Sequence, residues 1–67
     1  MNLYQVSGIY NKRPIKTKCF KNSLKAFKYL DKVLFDLNVE IDEVFTTEEN
    51  LTTYVVDNYT RFSVEKL

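Results

Sequence analysis

Apolar and polar residues change period along this chain, and the changes mark its elements. Leu3 to Tyr10 reads as a strand, and Asn11-Lys12-Arg13-Pro14 as a turn. Ile15 to Phe20 alternates with period two, setting Ile15, Thr17 and Cys19 against Lys16, Lys18 and Phe20. Pairing Tyr10 with Ile15 across the turn places Tyr4, Val6, Gly8, Tyr10, Ile15, Thr17 and Cys19 on one face. This is the better core face, and Gly8 and Thr17 leave room on it for a crossing helix. Leu3, Ile9, Lys16, Lys18 and Phe20 fall on the other.

The period then lengthens to that of a helix. Ser23 is the expected N-cap and Asn38 the C-cap. Between them Ala26, Phe27, Leu30, Val33, Leu34 and Leu37 fall within about 120° of arc. Lys21, Lys25, Lys28 and Lys32 fall on the opposite side, provided the helix reaches back to Lys21.

Three short strands are expected after it. Val39 to Phe45 points Val39, Ile41 and Phe45 inward, with Glu40 and Asp42 outward. Thr46 to Asn50 is a polar loop in which Thr46 and Glu49 have capping-box spacing. Leu51 to Val56 and Tyr59 to Val64 flank a two-residue turn, Asp57-Asn58. That register puts Leu51, Thr53, Val55, Thr60, Phe62 and Val64 inward and Thr52, Tyr54, Val56, Tyr59, Arg61 and Ser63 outward. The order β-β-α-β-β-β predicts an α+β fold of one domain, residues 1–67. One amphipathic helix packs on one face of a mainly antiparallel sheet of four to five strands. The other sheet face stays open to solvent or to a partner.

Composition narrows the chemistry. With 67 residues the chain has one small core and marginal stability. Cys19 is the single cysteine and there is no histidine, so no internal disulfide is available and no metal site or cofactor is expected. The absence of histidine also removes the usual general base and the activator of Ser or Cys, and one glycine cannot form a phosphate-binding loop. These inventories argue against an enzyme. The N-terminus lacks the pattern of a signal peptide, and no apolar run is long enough to span a bilayer. The expected location is the cytoplasm, with Cys19 reduced and no membrane partner.

The net charge of +1 conceals a split. Residues 1–32 carry eight basic side chains against Asp31 alone, and residues 33–67 carry eight acidic ones against Arg61 and Lys66. The split reads as a polyanion site on the basic half, or as internal complementarity or head-to-tail association.

Two surfaces emerge as candidates. The open sheet face gathers Lys16, Lys18, Phe20, Tyr54, Tyr59 and Arg61, and Tyr and Arg are the residues most enriched at protein-binding hot spots. The alternative is the helix row Lys21, Lys25, Lys28 and Lys32, which suits a phosphate backbone. Lys16 and Lys18 lie on the far side of the molecule from that row, so the cations do not converge. A protein partner, or a second copy of the chain, therefore ranks above nucleic acid.

The Lys/Asn/Tyr/Phe-rich composition, a compact domain beginning at Met1 and the lack of catalytic groups resemble the short accessory proteins of phages and mobile elements of low-GC bacteria. The resemblance is one of character, carries no motif and assigns no role to any residue. It implies a non-catalytic inhibitor of a host protein such as a CRISPR–Cas or other defence factor. The alternative is a nucleic-acid-binding accessory protein that uses the basic half.

Overall fold

The computed structural model describes residues 3–48 and 50–67, excepting the side chains of Phe45, Thr47 and Glu48. Its elements are β1 (Tyr4–Tyr10), β2 (Arg13–Pro14), β3 (Lys18–Phe20), α1 (Ser23–Leu37), β4 (Glu43–Glu48), β5 (Leu51–Asp57) and β6 (Thr60–Lys66). The six strands form one antiparallel sheet in the order β2-β1-β6-β5-β4, with β3 also paired to β1. The α+β class is as the sequence predicts. The strand count is higher because the second expected strand is split into β2 and β3.

The helix forms for the reasons its periodicity gives, but it starts later than Lys21. Asn22, not Ser23, is the N-cap: its side chain accepts the N–H groups of Leu24 and Lys25 at 2.8 and 3.3 Å. Lys21 therefore precedes the cap and lies outside the helix. At the other end Asn38 adopts φ 54°, and the Val39 N–H donates back to Leu34 O at 3.2 Å. That is a Schellman closure, with asparagine in the left-handed position. Ala26 and Leu30 are fully buried against Val6, Phe62 and Val64, with Phe27, Val33, Leu34 and Leu37 packed around them. The helix lies over β1, β3 and β6.

Two irregularities set which side chains face the helix. The first hairpin is tighter than expected: Tyr10 pairs with Arg13, not Ile15, across Asn11 and Lys12 at φ 50° and 71°. Positive φ at both central residues defines a type I′ turn, whose twist matches that of the strands. Further along, the Ile15 N–H donates to Gly8 O at 3.0 Å while Lys18 pairs with Val6. Lys16 and Thr17 therefore both oppose Ser7, forming a β-bulge. Ile15 keeps its expected face, but the extra residue turns Lys18 and Phe20 toward the helix and leaves Cys19 exposed on the open face.

The last hairpin slips as well. Asp57 Oδ1 accepts the Tyr59 N–H at 2.7 Å. This local bond moves the two-residue loop to Asn58-Tyr59, with Asp57 opposite Thr60. A register shift between Val55 and Asp57 then pairs Tyr54 with Phe62 and Val55 with Arg61. Phe62 and Val64 are buried as expected, but β5 is inverted. Tyr54 and Val56 join the core side, and Leu51, Thr53 and Val55 take the open side beside Arg61 and Ser63.

The strand expected over Val39 to Phe45 begins only at Glu43. The helix closure uses the Val39 N–H, so the chain rejoins the sheet late, where the Asp42 N–H donates to Val55 O at 2.9 Å. Val39 nonetheless packs on the core, Ile41 is half-buried, and Glu40 and Asp42 are exposed. Thr46 to Glu48, expected as a loop, pairs with β5 through a shifted register. The inward position of Phe45 and the capping role of Glu49 lie outside the described residues.

Gly8 makes room for a neighbouring strand rather than for the helix. A Cβ there would sit 2.6 Å from Arg61 O and 2.7 Å from Phe62 Cδ1. The Phe62 ring thus occupies the space beside its cross-strand partner, and this lets the largest core side chain lie fully buried at the sheet centre. Among the described residues, no helix is long and apolar enough to cross a membrane.

Candidate functional site

The two hairpin tips, 49 residues apart in sequence, dock on each other. The Asn11 N–H donates to Thr60 Oγ1 at 2.9 Å, and the Lys12 N–H donates to Tyr59 O at 3.0 Å. Both donors belong to the turn residues with positive φ, so the bonds hold Lys12 in a conformation that costs a non-glycine residue about 1–2 kcal/mol. Above the backbone contact the Lys12 ammonium sits 4.5 Å from the centroid of the Tyr59 ring. Such an exposed cation–π pair contributes about 0.5–1 kcal/mol.

The double tip forms a hollow in the surface. Tyr10, Asn11, Lys12, Arg13, Pro14, Ile15 and Tyr59 line an open cleft of about 780 Å3. It continues past Pro14 and Ile15 into a groove on the open sheet face, bordered by Ile9, Arg61 and Ser63. Tyr10, Lys12, Arg13, Tyr59 and Arg61 are all exposed. Two aromatic rings and two cations therefore line the cleft, with Arg61 in the adjoining groove, on a backbone cross-linked by hydrogen bonds. Among the described residues no acidic side chain lines either hollow. The arrangement can offer aromatic faces and charge-assisted donors to a partner at small ordering cost.

The six side chains expected to share the open face are distributed over three places. Tyr59 and Arg61 come together at the double tip. Lys16 lies exposed in the bulge. Lys18, Phe20 and Tyr54 are on the helix side: the Phe20 and Tyr29 rings are 5.3 Å apart, and the Lys18 ammonium lies 5.0 Å from the Tyr29 centroid. Burial, and then the Asp31 carboxylate of the helix, push the Tyr54 phenol above its ordinary range. Tyr10, Lys12 and Arg13 belong to the tip, where the sequence pattern marks only a strand end and a turn. The signal for them was Asn11, which favours positive φ and points to a two-residue loop.

The alternative row also changes. Lys25, Lys28 and Lys32 are exposed on the outer side of the helix, with Lys21 just ahead of it. The bulge brings Lys18 to this same side, over Tyr29, which has Lys25 one turn before it and Lys32 one turn after. The cations of the basic half thus converge more than the sequence pattern indicates. The first turn of the helix carries no acidic residue and the last turn no basic one, so the charges run against the helix dipole.

Among the described residues no group of three or more Cys, Asp or Glu is placed to hold a metal ion. Comparison with protein-family models, curated proteins and solved structures returns no match.

Proposed function

We propose that this is a non-catalytic binding module that engages another protein through the double hairpin tip. The observation that supports this reading is the mutual locking of the two turns, which holds Tyr10, Lys12, Arg13 and Tyr59 exposed around one cleft. Pre-organised Tyr and Arg side chains in a concave setting are what protein-binding hot spots use. The cations lining the cleft favour an acidic surface on the partner. The partner we propose is a host protein of the cytoplasm, inhibited by occlusion as small phage-type proteins inhibit CRISPR–Cas or other defence factors.

Affinity capture from a host lysate with nuclease treatment, read by mass spectrometry, tests the proposal. The expected result is a protein partner that is retained after nuclease and lost with Tyr59→Ala combined with Arg13→Ala. Circular dichroism should show the fold of that variant unchanged, since both side chains are exposed. A partner held equally by the wild type and the variant would remove the tip from consideration. A capture abolished by nuclease would shift the function to nucleic acid.

A further inference from the structure

We infer that the outer side of α1 is a binding track for single-stranded nucleic acid, a second surface independent of the hairpin-tip reading. The inference begins with Phe35. Its side chain is 84% exposed although it belongs to an amphipathic helix with a well-filled inner face, and Leu24 on the same outer side is 61% exposed. At 100° per residue Leu24, Lys28 and Phe35 fall in one row, with Lys25 and Lys32 in the adjacent one. Among the described residues Phe35 therefore has no ring or cation against it, and it stands at the end of a run of lysines. Tyr29, by contrast, already has Lys18 over its ring and Phe20 against it.

The spacing suits a flexible phosphate chain. Lys25, Lys28 and Lys32 rise along the helix by about 4.5 and 6 Å, close to the separation of successive phosphates in an extended strand. Lys21 adds charge at the N-terminal end, where the helix dipole is also positive, and Lys18 adds it at mid-helix over Tyr29. Asp31 lies one turn before Phe35 and Asp36 one turn after Lys32, so the acids bracket Phe35 and the phosphate path ends at Lys32. A duplex would satisfy the lysines but offer no base face to Phe35, whereas a single strand satisfies both. An acidic protein or an anionic membrane would satisfy the charges, but neither uses the aromatic as a stacking platform.

The test is fluorescence anisotropy with a labelled twelve-nucleotide poly(dT) strand across a salt series. The same length of duplex, a poly-Glu peptide and anionic phospholipid vesicles serve as competitors. The expected result is single-strand binding whose log K falls with log salt at a slope of about −2 to −3, as three to four released counterions give. Phe35→Ala should weaken it about tenfold, as loss of one stacked base does. Lys25→Gln with Lys28→Gln should flatten the slope. Both changes fall on exposed positions, so circular dichroism should stay native. The inference is overturned by no binding at 20 mM salt (roughly the low-salt limit at which electrostatic contacts are strongest). Equal affinity for the duplex, stronger competition by the peptide or vesicles, or indifference to Phe35→Ala would also overturn it.

Discussion

Thr60 contributes a single hydroxyl to the core side of the molecule, yet it is what ties the first turn to the last strand. It is only 5% exposed, and its Oγ1 is the acceptor for the Asn11 N–H. Thr60→Val keeps the shape and strands that N–H, so stability should fall by about 1–2 kcal/mol in urea unfolding. Lys12 shows the opposite balance. Its φ of 71° is strained for lysine, and Asn-Gly is the preferred pair for this turn. Lys12→Gly should therefore raise stability by about 1 kcal/mol, and under the proposed function it should weaken partner binding by removing the cation over Tyr59. Opposite signs in the two measurements would separate a structural role of Lys12 from a binding one. At Gly8 there is no such compensation, because the intruding atoms include backbone. Gly8→Ala should cost about 1–3 kcal/mol as overpacking does.

At the scale of elements, what the sequence made legible follows from how each element is specified. The helix is set by its own periodicity and caps, so most of its inner face is legible; Tyr29, which also packs on the core, falls outside the expected arc, and the cap is Asn22 rather than Ser23. Strand faces depend on register, and one residue of slip inverts a whole strand. Lys16-Thr17 as a bulge and Asp57 as the anchor of the last turn are local choices with nothing in the alternation to mark them. They carried Lys18, Phe20 and Tyr54 off the face where the sequence pattern put them, while Arg61 kept its place because β6 was read correctly. Cys19 reports on this directly. Exposed on β3, it should react with a thiol-specific reagent in the native state about as fast as in the unfolded chain. Protection would mean that the bulge is absent. Tyr54 gives a second check through pH. Its folded pKa is raised above 10.0 by burial and by Asp31, so the unfolded chain loses this proton first as pH rises. The contribution of neutral Tyr54 is complete below pH 10 and declines above it. Tyr54→Phe should therefore lose less stability than the wild type between pH 9 and 11 (roughly a unit either side of the ordinary tyrosine value) when urea midpoints are compared.

For the molecule as a whole, the sheet order converts the charge split along the sequence into a split in space. Arg13, Lys16 and Lys18 lie along one edge of the sheet, and Glu40, Asp42 and Glu43 lead into the strand at the other. Five strand lines at about 4.8 Å spacing put these edges roughly 19 Å apart. That is more than twice the Debye length of about 8 Å at physiological salt, so the patches do not neutralise each other. Despite a net charge of only +1, the protein should be retained at low salt on both cation- and anion-exchange media at neutral pH. Lys16→Glu with Lys18→Glu should remove retention on the cation exchanger and leave retention on the anion exchanger in place. Passage through either medium by the wild type would show that the two charge fields cancel.

The position of β6 has a consequence for how the molecule comes into being. The strand latest in chain order sits at the middle of the sheet, between β1 and β5, and carries Phe62 and Val64. During translation the ribosome delivers both flanking strands before the one that joins them. Until residues 60–66 emerge from the exit tunnel, β1 with its hairpin and β4–β5 have no common core to close around. Folding is then a single late event dominated by distant pairings, which are slow to form. Nascent chains stalled before Thr60 should stay fully sensitive to protease, and resistance should appear abruptly once Lys66 is clear of the tunnel.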